Sequence, residues 1–185
     1  MTGADIARAS EVARQVARDR NAFYVDQFNN PGSILAHFET TGPEIFRDVG
    51  SDLYAFVAIV GSGGTFVGTS RFLKSKNPLI QCVAVEPEGA NVLAGAVVSK
   101  PKHIIQGAGY GIIPPHWDPD AVDQMITVSD KEAIRLKKEL AEKEGLFVGY
   151  SAAANVAAAI AVLNAATPER EATVVTVLCD TGLKY

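Results

Sequence analysis

Two continuous apolar runs mark the middle of the chain. Residues 53–60 (LYAFVAIV) and 80–85 contain almost no charged position, the pattern of strands covered on both faces of a parallel sheet. Residues 125–128 and 173–179 repeat the signal. Elsewhere the period becomes helical. Ile6, Ala9, Ala13, Val16 and Ala17 form one stripe that predicts an amphipathic helix over about 5–18. Thr40 or Thr41 can cap a helix with Pro43 in its first turn. A glycine loop at 61–65 leads into a helix to about Lys74. Ser129 and Glu132 have the spacing of a capping box, and the helix they open ends at Gly145. Ser151 opens an alanine-rich helix to about Ala166. Residues 23–25 are a short strand candidate, 29–33 form a loop on turn chemistry, and 86–119 are irregular and rich in Gly and Pro.

Strands alternating with helices predict an α/β fold. A three-layer, mostly parallel sheet with helices on both faces is expected, in one domain spanning 1–185. In such sheets ligands sit beyond the carboxyl ends of the strands. The positions of interest are then Gln27, the 61–65 loop, Glu86-Pro87 and Asp180-Thr181-Gly182.

Composition narrows the function classes. The net charge is −4 and no basic block stands out, which argues against nucleic-acid binding. Arg8, Arg14, Arg18 and Arg20 alternate with acidic residues on one helical pattern and read as a solvated face. The two cysteines, Cys82 and Cys179, both fall in runs that read as buried strands and have no metal-ligand spacing. A reducing, cytoplasmic setting is expected, without disulfide or zinc. The first residues carry no apolar core of signal-peptide length, and no run of about 18 apolar residues predicts a membrane span.

The strand–GSGGT–helix unit is the strongest local motif. Successive glycines let backbone N–H groups turn inward around an anion, and the helix behind them adds its positive end. Ser62 and Thr65 can add hydroxyl donors. A phosphate site is favoured over a bare tight turn. Walker A is disfavoured because no Lys follows the glycines. A dinucleotide site stays open as an alternative, with Glu86 at the end of the next strand, although Phe66 stands where the third Gly of G-x-G-x-x-G belongs. Ser151, after Gly149-Tyr150, is either an N-cap or a hydroxyl that meets a ring nitrogen. The 106–111 stretch (QGAGYG) permits close backbone approach. His37, His103 and His116 are scattered and none is assigned to catalysis; Trp117 reads as a packed loop residue.

Taken together, these segments resemble the cysteine synthase / cystathionine β-synthase family of fold-type II pyridoxal-phosphate (PLP) enzymes. DQFNNPGSILAHFETTGPEIFRD, VAIVGSGGT, VAVEPEG, IIQGAGYGIIP, EGLFVGYSA and VLCDTGLKY occur in the family's order, and they match the later part of its catalytic domain. The resemblance implies half of a tryptophan-synthase-β-like fold. It implies that Gly61, Ser62, Gly63, Gly64 and Thr65 hold the PLP phosphate and that Ser151 bonds the pyridine nitrogen. Gln27 would contact the substrate carboxylate, and Gly107, Ala108 and Gly109 would border the substrate pocket. The implied reaction is β-replacement on an activated serine such as O-acetylserine, with sulfide or a thiol adding to give cysteine or cystathionine. It belongs to the transferase and lyase chemistry of amino-acid biosynthesis.

The chain also departs from the family pattern. The early contexts of the Schiff-base lysine, of an Asn at the ring oxygen and of a Thr/Ser-Gly-Asn loop are absent, and no catalytic residue is assigned within 1–185. The nine lysines lie in charged helices or loops, and Ala153 replaces a glycine. Three readings follow: a fragment inactive alone, one chain of a split enzyme whose partner carries the N-terminal half, or a non-catalytic module that keeps the phosphate or PLP site. The intact family implies a homodimer. Loss of sheet contacts to the missing half predicts an exposed edge strand and self-association.

Overall fold

The computed structural model describes residues 3–166 and 172–185. Its elements in chain order are α1 (Gly3–Asp19), α2 (Gly32–Glu39), α3 (Thr41–Val49), β1 (Leu53–Ile59), α4 (Gly64–Lys76), β2 (Gln81–Pro87), β3 (Gln124–Val128), α5 (Asp130–Glu144), α6 (Tyr150–Ala165) and β4 (Thr173–Thr176). The four strands form one sheet in the order β3-β2-β1-β4, every pairing parallel.

The apolar runs of β1 and β2 are buried because each strand feeds two cores. Ala55, Val57, Val83 and Val85 point to one face and pack with Ala154, Ala158 and Val162 of α6 and Ala133 of α5. Phe56, Ala58, Cys82 and Ala84 point to the other and pack with Phe66, Val67 and Leu73 of α4, with Ile45 and Phe46 of α3 against them. This is the period-two alternation of a strand, with both faces apolar. The expected α/β class and three layers are therefore present. The alanines of α6 combine high helix propensity with small volume, so the helix lies close on the sheet. The capping box at Ser129 and Glu132 is formed, and Gly145 closes α5 with φ of 69°.

Several elements differ from the sequence expectation. Residues 23–25 form no strand; alternation over three residues has no partner strand to make it one. Residues 29–31 are loop as expected, but Gly32 and Ser33 already belong to α2, an eight-residue helix whose two turns are too short to give a clear helical period. Thr40 donates its hydroxyl to Ala36 O at 2.7 Å and closes α2 instead of capping α3. The last strand ends at Thr176, so Cys179 lies beyond it and is exposed, whereas Cys82 is buried in β2.

The early end of β4 has a physical cause. Asn155 of α6, 1% exposed, accepts from Ile59 N at 2.7 Å and donates to Val177 O at 2.8 Å. One amide thus takes the place of the next ladder bonds between β1 and the segment after β4, and the two chains part around it. Replacing Asn155 by Ala leaves a donor and an acceptor without partners, and should cost roughly 2–3 kcal/mol. Denaturant unfolding of Asn155→Ala against the parent chain checks this; an unchanged midpoint would contradict the role.

Candidate functional site

Beyond Ile59 the chain turns sharply into α4. Val60 N donates to Val85 O at 3.1 Å, the last bond before the loop. Gly63, the N-cap of α4, has φ of 96°, a conformation that a side chain disfavours. A Cβ on Gly61 would run into the carbonyl oxygen of Gly107, so the 61–65 loop and the 106–111 loop touch only because this residue is glycine. The first amides of α4 have no partner within the helix, and its first turn contains no acidic residue. The positive end of α4 is therefore left for an external anion. Thr65 stands in this turn. Its hydroxyl lies 3.0 Å from His37 Nε2, and His37 Nδ1 lies 2.8 Å from the Thr41 hydroxyl.

The start of α6 is arranged differently. Gly149 is its N-cap, and the carboxylate of Asp180 accepts from Ser151 N at 3.2 Å and Ala152 N at 2.7 Å. Asp180 also accepts the Tyr185 hydroxyl at 3.0 Å. The Ser151 side chain is consequently not the cap. Its Oγ donates to Gln106 O at 2.8 Å, which joins α6 to the glycine-rich loop. Desolvation, together with the Asp180 carboxylate it bonds, pushes the Tyr185 phenol up to about 12. The cavity wall and the same carboxylate push the Cys179 thiol up to about 11. Behind this wall the Lys137 ammonium lies 4.6 Å from the Tyr150 ring and 5.6 Å from those of Phe147 and Tyr185.

These two helix starts open into one cavity of about 400 Å³. Gly61, Ser62, Gly63 and Thr65 line one part of it, and Ser151, Asp180, Lys184 and Tyr185 line another, with Gln106 and Gly107 also in the wall. Of the residues singled out in the sequence, the glycine loop, Ser151 and Gly107 are thus brought together, with Gly64 in the adjoining first turn. Ala108 is 2% exposed and off the wall, and Gly109 backs onto His103 and Pro87. Gln27 lies in a separate groove beneath α1, beside Phe23 and Phe28. Glu86 does not face the cavity: its carboxylate accepts Leu93 N and Ala94 N, each at 3.0 Å, and burial raises its pKa. It anchors the following loop and is not offered to a ribose, which removes the main support for a dinucleotide site. His37, Asn155 and the Asp180 cap escaped sequence reading because their partners are remote in the chain. Among the described residues no group of His, Cys, Asp and Glu could hold a metal ion, and no helix is long and apolar enough to cross a membrane.

An anion end and a hydroxyl end in one cavity suit a flat ligand bearing a phosphate and a ring heteroatom. Comparison with known proteins agrees. The profile of the family described as "Pyridoxal-phosphate dependent enzyme" matches residues 1–180. The chain is 39% identical over 165 residues to the O-acetylserine dependent cystathionine beta-synthase of Bacillus subtilis (strain 168), covering 89% of this chain and 52% of that protein. It is 40% identical over 167 residues to cysteine synthase A of Escherichia coli (strain K12), covering 86% and 50%. The chain thus spans about half the length of these curated relatives. Among solved structures, an O-ureido-L-serine synthase superposes with a TM-score of 0.86 at 35% identity, over 94% of this chain and 54% of that one. The O-acetylserine dependent cystathionine beta-synthase from Helicobacter pylori superposes with a TM-score of 0.84 at 36% identity, over 96% and 55%. With sequence profile, relatives and fold in agreement, the chain belongs to the pyridoxal-phosphate dependent enzymes, among the members that resemble cysteine synthase and cystathionine β-synthase.

Proposed function

We propose that residues 1–185 form the cofactor-holding part of an enzyme that replaces the β-substituent of an activated serine, such as O-acetylserine, by sulfide or a thiol. The observation that carries this reading is the single cavity shared by the 61–65 loop and Ser151. The residues present fit pyridoxal phosphate. Amides of 61–65 and the hydroxyls of Ser62 and Thr65 receive the phosphate at the positive end of α4. The Ser151 hydroxyl faces the ring nitrogen. Ser151 Oγ donates to Gln106 O, so the hydroxyl would have to turn from that carbonyl to donate to a ring nitrogen. When bound, the cofactor supplies an electron-withdrawing ring that acidifies the Cα proton of an amino acid.

The substrate side rests on resemblance to a greater degree. Gly107, Ala108 and Gly109 are assigned to the pocket rim and Gln27 to the substrate carboxylate. Only Gly107 among these shares the cavity, so the role of Gln27, which lines a separate groove, rests on the resemblance alone. The reactive amine is assigned to sequence outside 1–185, in the same polypeptide or in a partner chain. The intact assembly is assigned as a homodimer in a cytoplasmic setting, by analogy with the family. Among the described residues one lysine, Lys184 on the turn after Asp180, lines the cavity, and it is the in-chain alternative against which an external amine is tested.

Two measurements test the reading. The full chain is titrated with pyridoxal phosphate, followed by absorbance, borohydride reduction and peptide mapping. Saturable binding with no lysine fixed is expected. A reduced adduct on Lys184 would move the amine into this chain, and absence of any binding would overturn the cofactor assignment. The second compares Ser151→Ala for two ligands. Pyridoxal-phosphate affinity should fall about fivefold, the worth of one hydrogen bond, while inorganic phosphate affinity stays unchanged. Equal losses for both ligands would mean that Ser151 serves only to hold the 106–111 loop.

A further inference from the structure

His37 carries no role from sequence, but it bonds a residue of the site. It stands on α2, outside the cavity, and its two ring nitrogens join hydroxyls from two other helices: Nδ1 to Thr41 at the start of α3 and Nε2 to Thr65 in the first turn of α4. The approach of α2 to α4 that permits this is unusually close. A Cβ on Gly68 would collide with Ile34 O and with the Cβ of His37, and one on Gly64 would collide with Ser33. Small residues one helical turn apart on α4 therefore set His37 against Thr65.

The chemistry of a neutral imidazole admits two arrangements. One nitrogen carries a proton and donates; the other accepts. If Nδ1 carries the proton, Nε2 accepts the Thr65 hydroxyl proton, and Thr65 turns only lone pairs toward the cavity. If Nε2 carries it, Nε2–H donates to Thr65 Oγ, the Thr65 proton is free to point into the cavity, and Thr41 donates to Nδ1. The second arrangement alone gives an anion a donor. Burial holds the His37 pKa below its ordinary value, with no charged neighbour among the causes, Glu39 of α2, Glu44 of α3 and Arg71 of α4 included. The ring is thus neutral near pH 7 and the choice between tautomers is real.

We infer that His37 is a positioning residue for the phosphate, which acts through Thr65: a Thr41 O–H to His37 Nδ1, His37 Nε2–H to Thr65 Oγ, Thr65 O–H to anion relay fixes the Thr65 hydroxyl as a donor. This rests on the reading of the 61–65 loop as a phosphate site. No bond is made or broken. The anion selects one tautomer, and His37 orients Thr65 as outer hydrogen-bond partners orient the ligands of a metal.

The test uses inorganic phosphate as probe, followed by ³¹P NMR titration of the full chain. His37→Leu should weaken phosphate binding about fivefold, the worth of one oriented hydroxyl. His37→Gln, whose amide can donate from the place of Nε2, should recover most of it. In a Thr65→Val background His37→Leu should add nothing, because residues acting through one contact are not additive. ¹⁵N spectra of the phosphate-saturated parent chain should show His37 protonated at Nε2. Full phosphate affinity in His37→Leu, undiminished loss in the Thr65→Val background, or an Nδ1–H tautomer with phosphate bound would overturn the relay while leaving the phosphate site standing. A parent chain that takes up no phosphate would overturn both.

Discussion

The amide of Asn155 decides where the sheet ends. Parallel strands covered on both faces leave their ends uncovered, and ligands of such sheets bind outside the carboxyl ends, where neighbouring strands separate. Asn155 forces that separation between β1 and β4 by taking Ile59 N and Val177 O for itself. From this point one chain turns into the 61–65 loop and the other into Asp180. The cavity is the space between them, and both of its walls inherit their position from one buried side chain on a third element.

Two helix N-termini meet at that space, and their charges are handled in opposite ways. The start of α6 has its own anion, the Asp180 carboxylate, on two of its amides. The start of α4 has no acidic residue in its first turn, and among the described residues no carboxylate bond to its first amides is seen. The macrodipole of one helix is answered internally and that of the other is left for a guest. This asymmetry supports orienting a phosphate-bearing ring with its phosphate toward α4 and its heteroatom toward Ser151. It follows from a single acidic residue and does not depend on any contact to the guest.

Features set by local pattern were readable in the chain. The runs of β1 and β2, the Ser129–Glu132 capping box and the glycine loop each depend on neighbours a few positions away. What was hidden depends on pairs far apart in sequence: Asn155 with Ile59, His37 with Thr65, Ser151 with Gln106. Asn, His and Ser give no periodic signal, and each has a bland local reading that competes. Ser151 illustrates this well. Its position at a helix start suggested a cap, yet Asp180, twenty-nine residues on, performs that task, and the hydroxyl bonds Gln106 O instead. The end of β4 was overextended for the same reason, since 173–179 remains apolar after its ladder has been given up to Asn155.

The proton inventory of the Ser151 wall has a consequence for how the site would respond to its surroundings. With the Cys179 thiol near 11 and the Tyr185 phenol near 12, both stay neutral from mildly acid to mildly alkaline solution. A phosphate monoester takes its second charge near pH 6, in the middle of that interval. The two ends of the cavity are thereby decoupled: a phosphate at α4 could change its charge while the thiol and phenol of the Ser151 wall keep their protons.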